Sequence, residues 1–491
     1  MRKHVMLHIL KMFVLLLFTG SILGSCGLGI PPGSTISPGS TISPDSTIST
    51  PASTTSAMAA PVHTTPVMPA LAPPPALIAT SALNKTKYVV FAWNDLGMHC
   101  SNPTYDKAVL LPPYNTLWAQ IILRGNPPKI VTSGLTVEYK FINNTDSYGK
   151  ESYGQFWDNA KKLFGLDLPK NSGLNLIDPT VHNALSGKMM AKADFFEATG
   201  IPLTPINDDG TWNPFQVAEI TVKDGSSGIV AQTNATAPIS SEINCAKCHG
   251  PDPFQNILEK HDMNTGTKLV GQEPVLCASC HGDPALGVPD AGPNQYLSQS
   301  IHGFHAGVSP QPNCYDCHPG NATKCSRSLA HAAADGNCIS CHGDLTQVSS
   351  SISKGRVPWA SEPKCVTCHA DVAEVDTQDA LYRNAKGHGG VYCASCHSSP
   401  HAMVPSSILS DNYQALQYQG AAKTIGSCGT CHDSSKGQGE SNNFMETHGG
   451  ANPQVANACN ICHTSTPADT TQWPHSFQWT PTQGTGSIRQ D

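Results

Sequence analysis

Cys245-Ala-Lys-Cys248-His249 (CAKCH) is the first appearance of a frame, Cys-x-x-Cys-His, that returns seven times. The later copies are Cys277/Cys280/His281, Cys314/Cys317/His318, Cys338/Cys341/His342, Cys365/Cys368/His369, Cys393/Cys396/His397, Cys428/Cys431/His432 and Cys459/Cys462/His463, so that 16 of the 19 cysteines lie in frames. Disulfides, zinc and covalent haem all use paired cysteines. A disulfide framework gives no reason for a histidine directly after every second cysteine. Structural zinc draws four protein ligands from two such pairs, and a histidine tied to each pair leaves an odd tally. Haem attachment uses all three fixed positions: two thiols add to the two vinyl groups of one haem, and the adjacent histidine reaches the iron. The sequence therefore predicts eight haem c groups, with the 16 frame cysteines as thioether sites and His249, His281, His318, His342, His369, His397, His432 and His463 as proximal ligands.

Each iron then takes a second axial ligand or stays open. From residue 242 onward eight histidines lie outside the frames, His261, His302, His305, His331, His388, His401, His448 and His475, against three methionines, Met263, Met403 and Met445. The one-to-one match predicts bis-histidine ligation. His302 and His305, three apart, share one face if the segment is helical and would serve two haems. His475 is the weakest of the eight, with His99 or His182 as its alternatives. Bis-histidine ligation lowers the reduction potential relative to Met/His and leaves no seat for substrate, which favours electron conduction over bond-making.

The rest of the chain organises around this region. Charged residues are 13% of the total and the formal net charge is −7, with no basic patch, which excludes nucleic acid as a partner. Forty-two glycines and 39 prolines predict many turns and only short helices beyond residue 241. With so little aliphatic content there, the haems themselves are expected to serve as the core. Residues 85–240 differ: Lys87–Trp93, Thr116–Leu123, Leu135–Ile142, Gln216–Lys223 and Gly228–Thr233 are strand-like, with one helix near Gln155–Phe164. The fold class expected is multidomain, a β-rich, sandwich-like module over 85–240 followed by a haem-templated, largely irregular multihaem cytochrome c region with short helices over 241–491.

Before residue 85, Arg2, Lys3 and Lys11 flank an apolar run that is shorter than the roughly 20 residues a membrane span needs, the layout of an export signal over 1–25. Leu23-Gly24-Ser25-Cys26 resembles the bacterial lipoprotein cleavage box, and that resemblance implies lipidation at Cys26. Residues 26–84, rich in Ser, Thr and Pro, form a spacer that at polyproline spacing reaches on the order of 100 Å. Cys100 and Cys325 are then left over; they pair as a disulfide across the two regions or remain two thiols.

With these parts laid out, the chain resembles the multihaem c-type cytochrome lipoproteins of metal-respiring bacteria. The resemblance rests on AWNDLGMHCSNP (92–103), LPPYNTLWAQII (111–122), CYDCHPGNATKCSRS (314–328) and GHGGVYCASCHSSPHA (387–402). It implies an exported, lipid-anchored protein at the outer membrane, on its surface or periplasmic side. Its implied partners are other cytochromes or redox proteins and extracellular acceptors such as metal oxides or soluble shuttles. The expectation is an electron carrier rather than an enzyme; the alternative is a terminal reductase of nitrogen or sulfur oxyanions with one open haem.

Overall fold

The computed structural model of the 491-residue chain describes residues 86–432 apart from 126, 177, 321–322, 332–337 and 369–380. The expected leader and spacer with Cys26, His369, His448, His475 and the last frame (Cys459, Cys462, His463) lie outside the described residues. No helix among the described residues is long and apolar enough to cross a membrane.

Twelve strands are described: β1 (Tyr88–Asn94), β2 (His99–Cys100), β3 (Ala108–Val109), β4 (Asn115–Leu123), β5 (Lys129–Ile130), β6 (Leu135–Phe141), β7 (Ser186–Lys188), β8 (Met190–Ala191), β9 (Phe196–Ile201), β10 (Phe215–Asp224), β11 (Ile229–Ser240) and β12 (Val275–Leu276). One sheet runs β1-β4-β9-β8 with β5 on β4; the other runs β2-β11-β10-β6-β7. Val90, Ala92, Leu117, Ala119 and Ile121 from the first meet Val137, Tyr139, Ala218, Ile220, Val222 and Ala235 from the second in one buried core, which makes the module a two-sheet sandwich. Helix α1 (Gly154–Phe164) buries Phe156, Trp157, Ala160 and Leu163 beside it.

The nearly continuous apolar run of β1 has a structural cause. Successive side chains alternate faces, so Val90 and Ala92 point into the sandwich. Val89, Phe91 and Trp93 point the other way, with Trp118 and Ile122 of β4, and are buried against Tyr392, Ala394 and Tyr418 of the later region. A strand covered on both sides is apolar on both sides.

Beyond residue 240 the chain forms α2 (Ala246–His249), α3 (Pro253–Thr265), α4 (Leu297–Ala306), α5 (Cys338–His342), α6 (Leu345–Ser353), α7 (Cys393–His397) and α8 (Tyr413–Gln419), joined by single 3-10 turns. Several have identifiable ends. Asp252 caps α3 and Gly266, at φ 74°, closes it, while Asp344 and Gln347 form a reciprocal capping box on α6. The N-terminal part is thus built of β-sheets and the following part of short helices.

Candidate haem-binding site

Every described frame opens a helical turn, either within α2, α5 and α7 or in 3-10 turns at Cys277–Ser279, Cys314–Asp316, Cys365–Thr367 and Cys428–Thr430. Positions i, i+3 and i+4 share one face of such a turn. That is the spacing of the two thiols and the histidine, so a frame on such a turn can present all three groups to one side.

The frame thiols differ in exposure. Cys248, Cys280, Cys341, Cys365 and Cys368 are exposed. Cys245, Cys277, Cys314, Cys317, Cys338, Cys393, Cys396 and Cys431 are only half-buried. Cys280 and Cys368 share one place in the backbone. Each is the residue that ends a three-residue 3-10 turn, Cys277–Ser279 or Cys365–Thr367, with φ at −123° and −110°. Beside Cys280 Sγ lies the hydroxyl of Ser279, 3.8 Å away. No disulfide joins any of these described frame cysteines.

The structure sets four frame histidines opposite histidines from elsewhere in the chain. Ring centres lie 6.4 Å apart for His249 and His305, 6.4 Å for His281 and His261, 6.0 Å for His318 and His302, and 6.2 Å for His342 and His401. Rings in van der Waals stacking sit closer. Two imidazoles bound to one metal from opposite sides have centres about 6 Å apart, from two metal–nitrogen bonds of about 2 Å each plus the ring radii. Coordination constrains this separation but not the twist between rings, and the interplanar angles run from 17° to 90°. The rings come two at a time, which suits a metal whose other four ligands arrive with a porphyrin. These residues therefore fit haem c: thiols and one imidazole on the frame, a second imidazole across from it.

The second nitrogen of these rings is also engaged. Nδ1 of His302 lies 2.6 Å from the Ser298 carbonyl, that of His305 2.8 Å from the Ile301 carbonyl and that of His401 3.0 Å from the Leu96 carbonyl. His249 Nδ1 meets Asn256 Oδ1 at 3.0 Å and His261 Nδ1 meets Thr267 Oγ1 at 2.9 Å. A carbonyl accepts only, so Nδ1 of His302, His305 and His401 carries the proton and Nε2 keeps its lone pair for a metal. His281 Nδ1 is buried without a partner among the described residues. Burial, with neighbouring histidines adding to it, pushes His318 down to about 4. His401 falls to about 4 as well, from burial first and then His342 and Arg327, against the opposing Leu96 carbonyl. Both rings are neutral at neutral pH, the form that ligates.

Neighbouring frames adjoin. His302 and His305 on α4 tie the frame at 314–318 to that at 245–249, and Lys247 bridges the same two frames through Asp316 at 2.5 Å. His261 on α3, the helix following the first frame, faces His281 of the second. His318 lies within electrostatic reach of both His342 and His401. Cys365 lies within reach of Cys341, Tyr382 of Cys365, Cys393 and Cys396, and Cys431 of Cys396. Among the described residues the frame at 245–249 thus adjoins those at 277–281 and 314–318, that at 314–318 adjoins 338–342, and near neighbours continue from 338–342 through 365–368 and 393–397 to 428–432.

Other expected residues fall elsewhere. His331 closes a short 3-10 turn, and His388 is described only in its backbone. Of the two alternatives for His475, His99 Nε2 is 2.8 Å from Asp95 in a buried pair, and His182 Nδ1 is 3.1 Å from the Gly173 carbonyl. Cys100 and Cys325 are free cysteines within electrostatic reach of each other. The two regions meet there through uncharged hydrogen bonds instead, Ser240 Oγ to Thr323 Oγ1 at 3.0 Å among them.

Several side chains that sequence reasoning passed over hold the site together. Gln120 of β4 accepts from the Tyr392 N–H (3.1 Å) and the Ser395 hydroxyl (3.2 Å) at the frame on α7. Gln414 and Tyr418 of α8 bond the β1 backbone at Ala92 and Val90, the Tyr418 hydroxyl donating to the Val90 carbonyl at 2.6 Å. An interior glutamine in an apolar strand was the one visible signal: Gln120 interrupts TLWAQIIL.

Residues 349–433 match the family model described as cytochrome c7 and related cytochrome c. That stretch carries the frames at 365–369, 393–397 and 428–432, and the family implies covalently bound haem c there. No curated protein matches the chain. Among solved structures, the crystal structure of MtrC from Shewanella baltica OS185 is aligned at 13% identity over 54% of this chain and 45% of that one, with a TM-score of 0.13. The chain spans less than half the length of that protein, and at this score the likeness carries no argument.

Proposed function

We propose that the chain is an electron-relay protein that holds eight haem c groups and passes electrons between partner redox proteins and acceptors outside the cell. The observation that carries the reading is the four opposed histidine pairs, each with one member in an attachment frame. Haem c supplies reversible one-electron chemistry at a potential set by its axial ligands and surroundings. The chain's own residues do the rest. Frame cysteines fasten the group, and frame histidines bind from one side. His305, His261, His302 and His401 bind from the other at the frames of 245–249, 277–281, 314–318 and 338–342. His331, His388, His448 and His475 are proposed for the remaining four. Carbonyls of Ser298, Ile301 and Leu96 orient their rings, and the run of adjoining frames sets the route, with the frame at 277–281 near one end.

Two imidazoles per iron leave no position for a substrate, which favours the relay over an oxyanion reductase. Export, lipidation at Cys26 and a spacer over 26–84 place the protein at the outer membrane, within reach of other cytochromes, soluble shuttles or metal oxides. The proposed domains are 1–25, 26–84, 85–240 and 241–491.

Intact-mass measurement and electron paramagnetic resonance on the purified mature protein test the reading. Eight added porphyrins and a ferric spectrum that is low-spin throughout are expected. One or two porphyrins per chain, or a largely high-spin spectrum with ready carbon monoxide binding, would overturn it.

A further inference from the structure

The loop between β1 and β2, Asn94-Asp-Leu-Gly-Met-His-Cys100, is far from every frame in sequence, yet it touches a candidate ligand directly. We infer that this loop of the β module is the positioning device for His401, so that the sandwich governs ligation at the frame of 338–342. The inference rests on the relay reading, in which His401 is the ligand opposite His342.

The contact is built from both sides. The Leu96 carbonyl accepts from His401 Nδ1 at 3.0 Å, across 305 residues of sequence. That carbonyl is held by a turn with few degrees of freedom. Asn94, fully buried at the end of β1, accepts from the Leu96 N–H (3.1 Å) and the Gly97 N–H (2.6 Å) through its side-chain oxygen. Its amide donates to Asn115 Oδ1 at 2.7 Å and to the Thr116 carbonyl at 2.9 Å, anchoring the turn to β4. From the ligand side, the Ser399 hydroxyl donates to the Asn94 carbonyl at 2.7 Å, and the His401 carbonyl accepts from the Arg327 N–H at 2.7 Å.

Gly97 permits this approach. Its φ is +79°, where a side chain is strained, and a Cβ there would stand 2.9 Å from the His401 backbone nitrogen and 3.0 Å from the Ser399 Cβ. The loop therefore packs against residues 399–402 closely enough for only a hydrogen atom between them. A carbonyl that takes the Nδ1 proton fixes the ring's tautomer and orientation and makes the metal-facing nitrogen a stronger donor. Losing such an outer partner typically weakens metal binding by about 10–100-fold. A stronger donor nitrogen favours the ferric state, so loosening the contact raises the potential of that one haem.

The test uses the full-length, haem-loaded protein in four forms: parent, His401→Ala, Gly97→Val and Ser399→Ala, each checked for equal haem content and equal circular dichroism. His401→Ala is expected to turn one haem high-spin and open it to carbon monoxide; if it does not, the ligation reading itself fails. Gly97→Val is expected to give the same high-spin signal in part. Ser399→Ala, which removes only the bond to the Asn94 carbonyl, is expected to keep low spin but raise one potential in a redox titration. If His401→Ala opens a haem while Gly97→Val and Ser399→Ala keep the parent's spin state and every potential, the loop is mere packing and the inference is overturned. Should Gly97→Val fail to assemble, an unshifted titration of Ser399→Ala alone overturns it.

Discussion

Arg327 is 2% exposed, and its guanidinium makes two bonds to the Asp411 carboxylate (2.9 and 3.3 Å) and one to the Cys325 carbonyl at 3.1 Å. The guanidinium also sits 5.2 Å from the centre of the Phe215 ring on β10. One charged side chain thus connects the leftover-cysteine loop, the turn that carries Asp411 and the sandwich. Removing one member of a buried ion pair strands the other charge, at a cost of about 3–5 kcal/mol. Asp411→Ala should lower the unfolding free energy by that margin, and Arg327→Lys should lose much of it too because an ammonium cannot make the two-point contact. Equilibrium denaturation of the haem-loaded protein checks both. Nothing in the sequence marks this pair. Arg327 lies beside Cys325 in a stretch that draws notice for its cysteine, and Asp411 is 84 residues away.

Helix α4 shows what a single element does for two sites. His302 and His305 lie three apart on it, and the sequence was enough to see that they would share a face if the segment were helical. Their destinations were not visible, because each faces a frame on a different stretch of chain. The helix is held to α6 at Gly303, where a Cβ would stand 2.7 Å from Ser349 Oγ, and Ser349 Oγ donates to the Gln299 carbonyl at 3.3 Å. A branched side chain at 303 displaces the Ser349 hydroxyl and crowds the contact between the two helices. Gly303→Val should therefore perturb the frames at 245–249 and 314–318 together. Two haem signals should broaden or shift in the paramagnetic resonance spectrum while the others hold. A change confined to one signal would mean that the two ligands do not move as a unit.

For the molecule as a whole, the sandwich and the frame-bearing region are not separable blocks. The outer face of β1 and β4, with Val89, Phe91, Trp93, Trp118 and Ile122, is buried under Tyr392, Ala394 and Tyr418. Ring pairs at 5.2 Å (Phe91 and Tyr418) and 5.6 Å (Trp93 and Tyr392) cross the boundary. Residues 86–240 expressed alone should present this face to water, bind a hydrophobic dye and self-associate. The intact protein should do neither to the same degree; dye fluorescence and sedimentation of the two proteins check this. The main strands were legible as strands because their apolar runs are long and bounded by turns. The short pairings at β2, β3, β5, β7 and β8 were not, since two or three residues carry no periodicity.

By itself, the sequence determined where the attachment frames lie and which region would be β-rich. Both are local matters: a frame is five consecutive residues on one turn, and a strand declares itself by its own side chains. Only the tertiary structure decided which histidine stands across from four of the described frames, which described frames adjoin, and that a loop of the sandwich holds His401. Those depend on side chains brought together across tens to hundreds of residues. Packing chooses such partners by shape and burial, and the composition of either segment taken alone does not specify them.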